Sequence, residues 1–127
     1  MATDKAVAAC VAYAKAQAEV KRLTDAIGEA LEACRLAHIA KYPDEWTAPG
    51  WDSHLSQAYA PDHESDYGPD YMAPDEQEAF LAEKCPHCLA AHHAIQQRKA
   101  ARKAFGAAKR YVGSIGRAAT NPETKPS

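Results

Sequence analysis

Apolar positions in the first third of the chain recur every three or four residues. Val20, Leu23, Ile27, Ala30 and Leu31 fall on one stripe, which Cys34 and His38 continue. That spacing is one face of an amphipathic helix and predicts a helix over 4–41. Thr3 or Asp4 suits its start. Lys41-Tyr42-Pro43 ends it, because the residue before a proline is pushed out of the helical region. A second stripe, Ala101, Phe105, Ala108, Val112 and Ile115, steps by four and three and belongs to a helical region over 75–117. Asp75 and Glu78 make a capping-box pattern at its start, and Pro86 must break or restart the helix within it. Residues 118–127 read as a disordered tail.

Residues 42–74 have a different pattern. Prolines 43, 49, 61, 69 and 74 forbid a long element there, and Tyr42, Trp46, Trp51, Tyr59, Tyr67 and Tyr71 concentrate the aromatic side chains. Trp51, Leu55 and Tyr59 stand one helical turn apart, which predicts a short helix over 53–60. The expected fold is therefore all-α: an antiparallel, coiled-coil-like two-helix hairpin in one domain over 1–117, with a proline- and aromatic-rich insert at one end.

Composition makes such a hairpin thin. Val, Ile, Leu and Phe total 16 of 127 residues, few for a self-sufficient core, whereas alanine is abundant and favours helix. A small scaffold of this kind needs a staple or a second chain, so a homodimer is expected. No segment is long and apolar enough for a membrane span. Four cysteines, two of them in a Cys-x-x-Cys, are too few for a disulfide scaffold and suit metal or redox chemistry in a reducing cytoplasm, with free, buried core cysteines as the plainer alternative.

Cys85-Pro86-His87-Cys88 is a knuckle in which two thiolates grip one ion from the same side. Zinc takes four sulfur or imidazole ligands in a tetrahedron. Cys34 and His38, four apart on one helix face, are the expected remaining pair, with His92, one turn after Cys88, as the substitute for His38. The arms beyond these ligands match: residues 4–33 number 30 and residues 89–117 number 29, each about 45 Å of helix. The knuckle resembles the zinc hook of coiled-coil proteins over a single turn, and no function follows from that likeness. His54 and His63, with Asp62 and Glu64, offer a second set of metal-type side chains on no rigid element.

Charge is strongly polarised. Residues 1–40 balance; residues 41–84 carry eleven acids and two bases, net −9; residues 85–127 carry eight bases and one acid, net +7. Arg98, Lys99, Arg102, Lys103, Lys109 and Arg110 share one sector of the second helix with Arg117, a pattern suited to phosphates and equally to a solvated face. Aromatic anchors rimmed by acids suit a protein interface, which nominates Trp46, Trp51, Tyr59, Asp66, Tyr67 and Tyr71 as partner-binding residues. There is no phosphate loop, nucleophile elbow or His-Glu-x-x-His. The sequence thus predicts a non-enzymatic, zinc-stabilised protein that binds a protein partner, of the kind that phages and mobile elements use as regulators or inhibitors of a host machine. A nucleic-acid-binding protein is the second expectation, and an enzyme with an open three-ligand zinc the third.

Overall fold

The computed structural model describes residues 2–42, 44, 50–61 and 68–120, with side chains from residue 4 onward. It is predominantly helical, with no β-strand among the described residues. The order is α1 (Ala2–Lys41), α2 (His54–Tyr59), α3 (Pro74–Lys84) and α4 (Pro86–Thr120). No helix is long and apolar enough to cross a membrane.

α1 starts before Thr3, so Asp4 lies in its first turn, where a carboxylate suits the positive end of the helix dipole, instead of capping it. The helix stops as expected ahead of Pro43, where the Tyr42 N–H closes the last turn on the carbonyls of His38 and Ile39. α2 confirms the short helix expected in the insert. Ser53 caps it, its hydroxyl accepting from the Ser56 N–H at 3.0 Å, and it buries Leu55 and Ala58.

The expected capping box at Asp75 and Glu78 is replaced. Ala73 occupies the N-cap without a side-chain bond and Pro74 opens α3, because proline's fixed φ already suits the first helical position. Glu78 instead reaches α4, where His93 Nε2 lies 2.8 Å from its Oε1. The break at Pro86 is a single residue wide. Cys85 is extended, with φ −160° and ψ 111°, its N–H on the Leu81 carbonyl, and α4 begins at once with Pro86. α4 continues through Ala118 and Ala119, good helix formers, to Thr120, three residues into the stretch expected to be a tail; residues 121–127 lie outside the described residues.

The chain packs as two compact units. Unit 1 comprises residues 1–24 and 96–127, so it joins the start of α1 to the end of α4. Here Tyr13 meets Phe105 with ring centroids 5.2 Å apart, and Arg98 Nη1 donates to Thr24 Oγ1 at 3.4 Å. Position rises on one helix as it falls on the other, so within this unit the two segments are antiparallel. Its buried residues are Ala9 and Leu23, and Val7 and Val11 stay exposed. Unit 2, residues 25–95, holds α2 packed on α3 together with the adjoining parts of α1 and α4. Its core is Ile27, Leu55, Ala58, Leu81, Ala91 and Ala94, joined by Cys34, Cys85 and Cys88.

With so few large buried side chains, each one carries a large share of the stability. Leu81→Ala in unit 2 (0 % exposed) and Leu23→Ala in unit 1 (2 % exposed) should each cost about 2–5 kcal/mol in urea unfolding followed by circular dichroism. Leu36→Ala, at an exposed position of α1, should stay within about 0.5 kcal/mol of the parent.

Candidate metal centre

Cys85 and Cys88 owe their positions to Pro86. A residue before proline is driven to extended backbone, so α3 ends at Lys84 and Cys85 becomes the residue immediately outside α4. From there its sulfur acts as a helix cap, accepting the Cys88 N–H at 3.4 Å. Cys88 follows one turn later and is wholly buried. The start of a helix favours a thiolate, since its N–H groups and dipole stabilise negative charge. The knuckle thus presents two sulfurs, one with an amide donor already aimed at it.

Two further groups close on this pair. Cys34 comes from the buried face of α1. His54 comes from the first residue of α2, with its Nδ1 3.8 Å from Cys34 Sγ. The ligand atoms of Cys34, His54, Cys85 and Cys88 all lie within 4.8 Å of one another. Ligands placed tetrahedrally at zinc distances of about 2.0–2.3 Å stand about 3.3–3.8 Å apart. The group is therefore close to the size that one ion requires and can bind a metal.

The electrostatics agree. Burial pushes the Cys88 thiol up to about 12, and the Cys34 and Cys85 sulfurs push the same way, while the Leu55 N–H at the start of α2 donates to the Cys88 sulfur and opposes them. Three sulfurs packed this closely repel one another as thiolates, and a cation among them reverses that balance. Cysteine ligands bind metal deprotonated, so metal binding and proton release are coupled.

Of the expected zinc ligands, Cys34, Cys85 and Cys88 are brought together, and His54 stands where His38 was expected. His38 lies on the last turn of α1 with its ring centroid 5.0 Å from that of Tyr42. It borders a cavity of about 460 Å³ that Cys34, His54, Cys85, Trp51 and Lys84 also line, and it is not among the four converging groups. The substitute, His92, is buried (2 % exposed), and its Nδ1 lies 2.8 Å from the Tyr59 hydroxyl. That contact ties α4 to α2 and makes Tyr59 a packing residue as much as a surface one. His54 was visible in the sequence only as a metal-type side chain in an insert. The signal that could have found it is Ser53, whose capping role fixes where α2 starts and so where His54 points.

Among the expected partner residues, Trp51 and Tyr71 are exposed, whereas Trp46, Asp66 and Tyr67, like His63, Asp62 and Glu64, lie outside the described residues. Lys99, Arg102, Lys103, Lys109 and Arg110 are exposed on α4, and Arg98 is half-buried against Thr24. The chain matches no family model, no curated protein and no solved structure.

This geometry separates the two histidines experimentally. His54→Ala should weaken metal binding by more than the roughly 10–100-fold that loss of an outer-shell partner costs, while His38→Ala should bind nearly as the parent does. Competition against a chromophoric chelator measures both, and equal losses would contradict the assignment.

Proposed function

We propose that the chain is a zinc-stapled helical protein whose work is to bind a protein partner, not to catalyse a reaction. The convergence of Cys34, His54, Cys85 and Cys88 within 4.8 Å carries this reading. Three sulfurs and one imidazole form a donor set that selects zinc over calcium or magnesium, which take oxygen ligands. Four protein ligands complete a tetrahedron and leave no position for an activated water, as in structural zinc sites. The ligands come from α1, α2, the residue between α3 and α4, and the first turn of α4. One ion there would fasten every helix of a unit whose apolar core is small, as the expected clasp requires.

The partner reading rests on the surface of the same unit. Trp51 is 41 % exposed and Tyr71 is 61 % exposed. They belong to a stretch, residues 25–95, that carries fourteen acids and three bases, net −11. Aromatic anchors within an acidic rim favour a basic protein surface, with charge steering the encounter and the aromatic rings supplying affinity. A second copy packing over Val7 and Val11 belongs to the same reading, in line with the expected homodimer.

Protein purified without chelator should contain one zinc per chain by elemental analysis. Chelation, or Cys88→Ala, should remove most of the cooperative unfolding transition, since structural zinc contributes on the order of 10 kcal/mol to small metal-dependent folds. A metal-free preparation with full thermal stability would end the proposal. For the partner, affinity capture with the parent chain should retain a basic protein that the folded Trp51→Ala/Tyr71→Ala variant loses. Equal retention by both would place the interface elsewhere.

A further inference from the structure

The stretches that make up the two compact units differ in charge far more than the chain's net −2 suggests. Unit 2 is the acidic one; residues 1–24 and 96–127 of unit 1 carry twelve bases and three acids, net +9. Seven of those bases lie on α4, which has no acidic residue anywhere between Pro86 and Thr120. At about 100° per residue, Arg98, Lys99, Arg102, Lys103, Lys109, Arg110 and Arg117 fall within an arc of about 140°, beside the stripe that carries Phe105.

Two details distinguish this face from an ordinary solvated one. The first is the lack of counter-charge. On α1, Arg22 and Arg35 are held by Glu19 and Glu32. Among the described residues, none of these seven lysines and arginines of α4 pairs with a carboxylate. The second is what lies between the bases. From Arg98 to Arg117 the other residues in that arc are Gly106, Gly113 and Gly116. Each glycine inside a helix costs about 1 kcal/mol relative to alanine, and Gly106 and Gly113 point away from the stripe that carries Phe105, so close helix packing does not account for them. A Cβ at Gly106 or Gly113 would meet only the guanidinium of Arg110 or Arg117, at 3.4 and 3.3 Å, and one at Gly116 would meet nothing. The result is a strip without side chains of its own, overlain at Gly106 and Gly113 by the flexible ends of Arg110 and Arg117 and edged by further cations, over about 28 Å of helix.

We infer that this face of α4 docks the phosphate backbone of a double-stranded nucleic acid. The chemistry selects that occupant. The arc holds no apolar anchor of the sort that supplies affinity in protein interfaces. Its binding energy must then come from releasing counterions, which needs a dense, regular polyanion. It holds no aromatic ring to stack an unpaired base, which disfavours single strands. It holds no Asn or Gln to read adenine, and its arginines and lysines serve first as phosphate contacts, so shape and charge dominate binding. The missing Cβ atoms at Gly106 and Gly113 let the sugar-phosphate chain approach the helix while the flanking guanidinium groups swing onto phosphate oxygens.

Fluorescence anisotropy of the full, metal-loaded chain with labelled 24-base-pair DNA and RNA duplexes tests this. If four phosphates are neutralised, affinity should fall on the order of a hundredfold between 50 and 200 mM salt. Arg102→Glu with Lys109→Glu should abolish binding without loss of helix content. Gly106→Leu with Gly113→Leu keeps every charge and raises helix propensity, so weaker binding by that variant reports close backbone approach and not charge alone. Binding to only one of the duplexes would identify which nucleic acid is taken. No binding at 50 mM salt, or binding unaffected by either double variant, would overturn the inference. So would salt-sensitive self-association in sedimentation that the Arg102→Glu/Lys109→Glu variant abolishes while duplex binding is absent, since the occupant would then be the acidic stretch of a second copy.

Discussion

Three cysteine sulfurs and one imidazole held in a single small buried volume are poor company without a cation among them. Ionised, the sulfurs repel one another across a few ångströms of low-dielectric interior; protonated, they are small, weakly packing groups at the centre of a sparse core. A soft divalent ion resolves both problems, because it neutralises the thiolates and bonds to them. The other features of unit 2 are consistent with serving that centre. Pro86 places Cys85 outside α4 with its sulfur capping the helix, and Ser53 starts α2 so that His54 is its first residue. The Tyr59–His92 bond then holds the far end of α2 against α4. Each of these is a local rule of backbone geometry applied where it aims a ligand or braces the element that carries one.

Unit 1 lies at the other physical extreme. It has little apolar area to bury and a large excess of positive charge, and its helix α4 gives up helix propensity at three glycines. Opposite charges are thus allotted to different parts of one chain, and α1 and α4 each contribute to both. Under the proposals above, the acidic aromatic surface of unit 2 and the basic, glycine-lined face of unit 1 would take opposite kinds of partner.

Much of this was legible in the sequence, for identifiable reasons. α1, α4 and the break at Pro86 follow from three-four periodicity and from the steric demands of proline, which are local and need no tertiary information. Cys34, Cys85 and Cys88 were legible because the knuckle supplies two sulfur donors at a fixed spacing and a thiol on the packing stripe of α1 offers a third. His54 was not, because its place depends on how a proline-rich insert folds back toward α1, and the i, i+4 relation of Cys34 and His38 was a nearer and equally sound geometric solution. The capping box at Asp75 and Glu78 failed for a related reason: Pro74 already satisfies the helix start, which frees Glu78 to meet His93. Periodicity placed the basic residues of α4 on one face. That none of them pairs with a carboxylate among the described residues, and that only guanidinium groups lie over Gly106 and Gly113, needed the neighbouring side chains.

X-ray absorption at the zinc edge reads the donor atoms of the bound ion themselves. Ligation by Cys34, His54, Cys85 and Cys88 gives a four-coordinate shell of three sulfurs at about 2.3 Å and one nitrogen at about 2.0–2.1 Å, with the nitrogen contribution lost or replaced in His54→Ala and unchanged in His38→Ala. A shell of two sulfurs with two nitrogens, a shell dominated by water oxygens, or a nitrogen signal that disappears with His38 in place of His54 would contradict it.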